Sequence, residues 1–185
     1  TDVYEPGSTN KVITMAGAIE DGLVTPETRM TVPDKLAVGN HVFTDHDPHP
    51  PVSWSITDIF AQSSNVGTIL TAQKLGKERL DHYMRAFGYG KRTGIGFPGE
   101  ATGLVINPKD YWITTMGSVP IGSSVAVTAL QMLQVYATVG NGGVWQAPKL
   151  VAATIDADGK RKAGKPGESR RVISAETAGK VNPML

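Results

Sequence analysis

The sequence predicts an α+β domain in which helix outweighs strand. Three observations carry that expectation. Apolar residues recur at helical spacing in several separate segments, most of them opened by a capping residue and closed by glycine. Strand-like pieces are short and lie between them. Glycine (21) and proline (12) punctuate the whole chain with turns. A length of 185 residues, with 40% apolar and 19% charged residues, fits one domain or one large piece of one.

Taken in order, residues 1–7 form a short segment closed by a Pro6-Gly7 turn. Val12, Ile13, Ala16 and Ile19 then share one helix face, with Ser8 or Thr9 as cap and Gly22 as stop. Residues 23–51 are turn-rich and non-periodic, with valine-bearing pieces of strand length. Ser55 and Asp58 make a capping-box-like start for a short helix over 56–62. Ser63-Ser64-Asn65 interrupts it, and a helix over 66–75 stops at Gly76. Leu80, Tyr83, Met84 and Phe87 form an i, i+3, i+4, i+7 stripe ending at Gly88. Residues 89–107 read as a Gly/Pro-rich loop. Thr128 with Gln131 is a capping box, and Leu130, Leu133, Tyr136 and Ala137 follow on one face. Gly140 ends that helix, and Asn141-Gly142-Gly143 is a turn. Residues 151–155 read as a strand, Asp158-Gly159 as a hairpin turn, and 160–171 as a basic loop. Ser174 caps a last helix that Pro183 disturbs.

Composition excludes several function classes. Lysine plus arginine (18) balance aspartate plus glutamate (17), so nothing supports a nucleic-acid partner. The absence of cysteine removes disulfides, Cys-ligated zinc and thiol nucleophiles. No apolar run reaches membrane-spanning length and no signal peptide opens the chain, so any anchor or export signal is expected outside it.

Two short motifs carry chemistry. Ser8-Thr9-Asn10-Lys11 is an S-x-x-K tetrad, which on a helix places hydroxyl and amine on one face. A serine hydroxyl needs a base to take its proton, and a desolvated lysine can serve. Ser63-Ser64-Asn65 is an S-x-N triad between two helices, where a hydroxyl and a carboxamide can relay a proton and hold an amide. Each is weak alone: chance supplies about 0.6 such tetrads and about 0.3 such triads in a chain of this composition. Ser8-Thr9-Asn10 also fits S-x-N, and plain capping or helix-breaking explains either motif.

Three other groupings have plainer explanations. His41, Asp45, His46, Asp47 and His49 resemble metal ligands, but Pro48, Pro50 and Pro51 make an extended loop without fixed ligand spacing. Lys160, Arg161, Lys162, Lys165, Arg170 and Arg171 fit a solvated basic hairpin. Trp54, Trp112 and Trp145 are too scattered for a stacking platform; Trp112, near Tyr111, suits core or a groove wall.

The joint pattern is far more specific. Tyr4–Lys11 (YEPGSTNK), Ser63–Gly67 (SSNVG), Thr93–Glu100 (TGIGFPGE) and Val127–Gln131 (VTALQ) follow one another in that order. Together they resemble the transpeptidase domain of class B penicillin-binding proteins, especially the cell-division type, over nearly the whole chain. S-x-x-K with S-D-N and K-T-G is a known signature of that family and of class A β-lactamases.

The resemblance implies the helical part of a transpeptidase fold like that of penicillin-binding proteins and serine β-lactamases, with an incomplete antiparallel sheet. Residues 1–185 then form one partial transpeptidase domain, cut before the K-T-G motif. Ser8 matches the acylated nucleophile, Lys11 its base, Ser63 the proton relay and Asn65 the substrate-amide group. Ser64 stands where the motif has Asp, and Ala129 where the family usually has Pro. Arg92-Thr93-Gly94 looks like K-T-G but comes too early. The implied activity is D,D-transpeptidation of peptidoglycan through a serine acyl-enzyme, without metal or organic cofactor. Implied partners are D-Ala-D-Ala stem peptides, β-lactams and membrane proteins of the division complex. The implied location is the outer face of the bacterial cytoplasmic membrane. Without a K-[ST]-G strand, the chain alone is expected to be a weak catalyst. The alternatives are a non-catalytic penicillin-binding-like sensor and a serine β-lactamase, the latter disfavoured because no E-x-x-x-N element follows Asn65.

Overall fold

The structure, a computed structural model, describes residues 2–164 and 167–185; Lys165 of the basic stretch lies outside the described residues. The α-helices are α1 (Lys11–Glu20), α2 (Ile56–Ala61), α3 (Asn65–Leu75), α4 (Lys77–Ala86), α5 (Thr115–Ser118), α6 (Ala129–Gly140) and α7 (Ala175–Val181). The strands are β1 (Arg29–Val32), β2 (Lys35–Val38), β3 (His41–Thr44), β4 (Val52–Ser55), β5 (Val144–Gln146), β6 (Ala153–Ile155), β7 (Arg161–Ala163) and β8 (Ser169–Arg171).

Helix α1 is the axis of the molecule. Every residue from Lys11 to Ile19 is buried, because α2, α3, α4 and α7 all pack against it. The stripe Val12, Ile13, Ala16 and Ile19 is therefore only part of its buried surface; Met15 and Ala18 belong to the same core. A helix enclosed on all sides shows no single apolar face. Its start also differs from expectation. Ser8 makes no side-chain cap; instead Gly7–Asn10 is a 3-10 turn that runs directly into α1 at Lys11.

The two expected capping boxes form. Ser55 Oγ accepts from Asp58 N while Asp58 accepts from Ser55 N. Thr128 and Gln131 do the same at the start of α6. The buried face of α6 is not the expected one. Met132, Val135 and Val139 face inward, while Leu133 is 62% exposed. Polar neighbours share that inward face: Gln131 Nε2 donates to the carbonyls of Lys91 and Thr102, and Gln134 Nε2 to that of Gln146. Buried loop carbonyls need donors, so apolarity does not mark this face.

Among the described residues the strands pair as four separate antiparallel ribbons, β1 with β4, β2 with β3, β5 with β8 and β6 with β7. The 160–171 loop thus contains two strands, and Trp145 on β5 is buried beneath Arg170 of β8 at 3.8 Å. Trp112 is 81% exposed and so lies outside the core. Pro183 sits in a closing 3-10 turn, Asn182–Met184.

Helices α1 and α4 meet at Gly17, where an added Cβ would lie 2.5 Å from the Tyr83 ring. The ring cannot slide freely, since Tyr83 Oη donates to Asp21 at 2.6 Å and accepts from Arg79 at 2.9 Å. Gly17→Ala is expected to destabilise the chain by about 1–3 kcal/mol, the range for overpacking a tight core. Chemical denaturation measures this; an unshifted midpoint would mean that the contact is soft.

Candidate active site

The site is built at the junction of the 3-10 turn and α1. In a 3-10 turn, residues i and i+3 eclipse one another. Lys11 N donates to Ser8 O, so Lys11 lies directly below Ser8. Ser8 is exposed, whereas Lys11 is only 1% exposed. The turn is clamped on several sides. Asn10 is fully buried; its Nδ2 donates to Val119 O at 2.9 Å and its Oδ1 accepts from Tyr89 Oη at 3.0 Å. Gly7 N donates to Gly122 O at 3.1 Å, an approach so close that a Cβ on Gly122 would lie 2.0 Å from Gly7 O. Only glycine fits there, and its φ of +81° also suits glycine.

The S-x-N triad arrives from 52 residues away in sequence. Helix α2 ends at Ala61 with Gln62 as its C-cap, and Ser63, the next residue, has a left-handed φ of +52°, a conformation glycine usually supplies at this position. The twist turns both oxygens of Ser63 toward Lys11. Lys11 Nζ donates to Ser63 O at 2.5 Å, Ser63 Oγ at 3.1 Å and Asn65 Oδ1 at 2.8 Å. Three acceptors match the three N–H groups of an ammonium. Asn65 Nδ2 in turn donates to Thr44 O on β3 at 3.0 Å. Ser64 is the N-cap of α3 and accepts from Gly67 N at 2.8 Å.

Lys11, Ser63 and Asn65 are therefore brought together as the motifs predict. Ser8 stands above them, with no hydrogen bond to Lys11 Nζ among the described residues. Burial pushes the Lys11 ammonium down to about 8, against an opposing pull from the Asp45 carboxylate.

Asp45 is the residue that sequence reasoning missed. It sat among the metal-like residues of an extended loop, with no spacing to link it to the triad. Its Oδ2 accepts from Ser64 Oγ at 2.7 Å and its Oδ1 from Val66 N at 2.9 Å. His49 Nε2 lies 3.0 Å from Oδ2 and Nδ1 2.8 Å from Pro50 O. Burial raises the Asp45 carboxyl, but hydrogen bonds from Ser64, Val66 and His49 outweigh it and hold the group below its ordinary value. The motif's usual Asp is Ser64 here, yet a carboxylate still anchors the triad, supplied 19 residues upstream. Among the described residues no cluster of three or more His, Cys, Asp or Glu is arranged to hold a metal ion.

The family model described as the penicillin binding protein transpeptidase domain matches residues 1–185. The chain is 41% identical over 183 residues to penicillin-binding protein PbpB of Mycolicibacterium smegmatis, covering 98% of this chain and 28% of that protein. It is 31% identical over 163 residues to peptidoglycan D,D-transpeptidase FtsI of Escherichia coli K12, covering 87% of this chain and 27% of the relative. The crystal structure of penicillin binding protein 3 from Mycobacterium tuberculosis complexed with aztreonam superposes with a TM-score of 0.95 at 37% identity, over all of this chain and 41% of that one. The chain thus spans less than half the length of these relatives.

Two effects on Lys11 can be separated by titration. Its Nζ should titrate near pH 8 by heteronuclear NMR. Asp45→Asn removes the carboxylate that favours the ammonium, so the midpoint should fall further. A midpoint that stays put or rises would remove Asp45 from the electrostatics of the site.

Proposed function

Since the chain belongs to the penicillin-binding-protein transpeptidase family, we propose that it carries the acylating machinery of a peptidoglycan D,D-transpeptidase. The observation that supports this best is a lysine amine buried under an exposed serine and ringed by the S-x-N triad. Desolvation that brings a lysine toward neutrality is how a protein obtains an amine base at ordinary pH.

The chemistry follows from the arrangement. Neutral Lys11 accepts the Ser8 hydroxyl proton as Oγ attacks the penultimate carbonyl of a D-Ala-D-Ala terminus. The carbonyl π pair moves to oxygen, then returns as the C–N bond to the terminal D-alanine breaks. That amine leaves with a proton relayed from Lys11 through Ser63 Oγ. Asn65 sits where its carboxamide can orient the donor's amide. The amine of a second stem peptide then attacks the Ser8 ester, forming the cross-link and restoring the hydroxyl. A β-lactam presents the same acyl carbonyl and would be held as a stable ester on Ser8. No step asks for a metal or organic cofactor. The reaction belongs on the outer face of the bacterial cytoplasmic membrane, where peptidoglycan lies. Among the described residues no helix is long and apolar enough to cross a membrane. The likeness to FtsI extends the proposal to a role in division, with division-complex membrane proteins as partners.

In the complete protein that contains this chain, Ser8→Ala should abolish covalent labelling by a fluorescent penicillin. Lys11→Ala should slow acylation by about 10²–10⁴-fold, the scale of a positioned base. Lys11→Arg should not restore it, because a guanidinium stays protonated. Normal labelling of the Lys11→Arg protein would take the base role away from Lys11.

The acylation rate should also rise with pH and level off above about 8, as the neutral amine becomes the main species. A rate that falls across that interval would mean that the ammonium form is the active one.

A further inference from the structure

The loop 45–51, between β3 and β4, has no helix or strand of its own, yet it places Asp45 against the S-x-N triad. His49 ties that loop together. Its backbone N–H donates to Asp34 Oδ1 at 3.3 Å. Its Nε2 lies 3.0 Å from Asp45 Oδ2, and its Nδ1 lies 2.8 Å from Pro50 O. Both partners are well enclosed: the His49 side chain is 14% exposed and that of Asp45 7%.

The two ring contacts decide the state of the imidazole. A carbonyl oxygen only accepts, and so does an ionised carboxylate. Burial raises the Asp45 carboxyl, but bonds from Ser64 Oγ and Val66 N help to keep it ionised. A neutral imidazole has one N–H, so one ring nitrogen would face an acceptor with a lone pair. With two protons, both contacts are hydrogen bonds. The Trp54 ring, its centroid 4.9 Å from that of His49, is within the range at which an indole attracts a cation. The Pro50 carbonyl and the Asp45 carboxylate hold the ring above its ordinary value, outweighing burial.

The other surroundings agree. The charged and titratable groups facing the ring are Asp45, Asp34 and, around a small cavity of about 140 Å³, His46 and Asp47. Neutral Gln62 and Trp54 complete that lining, and no lysine or arginine among the described residues belongs to it.

An imidazolium here acts in two ways. It holds Asp45 Oδ2 toward Ser64 Oγ, 2.7 Å away, at the N-cap of α3 one residue before Asn65. It also sets a positive charge beside the carboxylate that pulls on Lys11. Burial lowers the Lys11 ammonium, and Asp45 opposes that effect. A carboxylate paired with a cation acts at a distance as a dipole, which pulls less than a lone charge.

We propose that His49, held as an imidazolium, is a positioning residue of the acylation site: through Asp45 it fixes the S-x-N triad and weakens the pull of that carboxylate on the Lys11 ammonium. The inference rests on the proposed role of Lys11 as base and deepens it.

The test uses the complete protein that contains this chain, with penicillin as the acylating probe. Nitrogen NMR of the histidine-labelled protein reads the ring directly. At about pH 7.5 His49 should show two protonated ring nitrogens. A neutral tautomer there would overturn the inference, and this measurement needs no folded variant.

His49→Gln keeps an N–H for Asp45 but removes the charge. Asp45 is then unopposed, and Lys11 stays protonated to higher pH. The rising limb of the acylation–pH profile should move up, leaving the rate at about pH 7 about threefold or more below that of the unsubstituted protein. Asp45→Asn moves the limb down, and adding His49→Gln to it should move the limb no further, because the coupling runs through the carboxylate. A packing role alone would lower the rate by one factor at every pH and leave the limb in place. That result, or additive shifts in the double variant, would overturn the inference. Failure of the unsubstituted protein to acylate, or a profile without a rising limb, would instead sink the reading of Lys11 as base.

Discussion

The arrangement of the molecule depends on how one amine is buried. Lys11 opens a helix that is enclosed on every side, so its Nζ is kept from bulk water. A buried ammonium is tolerated only when its N–H groups are matched, and all three are matched by Ser63 and Asn65. These acceptors lie at the α2–α3 junction, so the central helix and that junction must be placed together. The junction is in turn tied to the end of β3 by Asp45 and Thr44. One desolvated group thus fixes three segments far apart in sequence.

The same constraint explains where the backbone is forced. Ser63 takes a left-handed conformation that costs about 1–2 kcal/mol for a residue with a Cβ. Glycine would relax the turn but would remove the hydroxyl that Lys11 meets. Gly122 is the opposite case: side-chain chemistry is surrendered so that its backbone can touch Gly7. Strain and glycine serve one purpose, bringing chain segments close enough to hold an exposed hydroxyl over a buried amine.

What was legible in the sequence was local. The capping boxes at Ser55–Asp58 and Thr128–Gln131 could be read because each is complete within four residues. The S-x-x-K and S-x-N motifs could be read because their geometry is set within a turn, and because their order with two other segments resembles one family. The inward face of α6 was misread, since Gln131 and Gln134 are buried to serve carbonyls of distant loops. Strands β7 and β8 were hidden by basic residues that suit a solvated ribbon as well as a loop. Asp45 was illegible for a stricter reason. Its role exists only once the β2–β3 hairpin has folded back onto α3, and no period or spacing encodes that contact.

Asp45 also sets a limit on the site. Its carboxylate stays ionised because Ser64, Val66 and His49 hydrogen-bond to it, and those bonds hold the triad in place. An ionised group near Lys11 favours the ammonium, which cannot accept a proton from Ser8. Burial works the other way and is the larger influence, so the amine ends at about 8. A site without Asp45 would have a more readily neutral amine but a looser triad; one with Lys11 more exposed would keep the triad but return the amine toward its ordinary value. Under the proposed role of Lys11 as base, deep burial of the amine and an anchoring carboxylate therefore have to occur together, with the lysine inside the core and the serine on the surface.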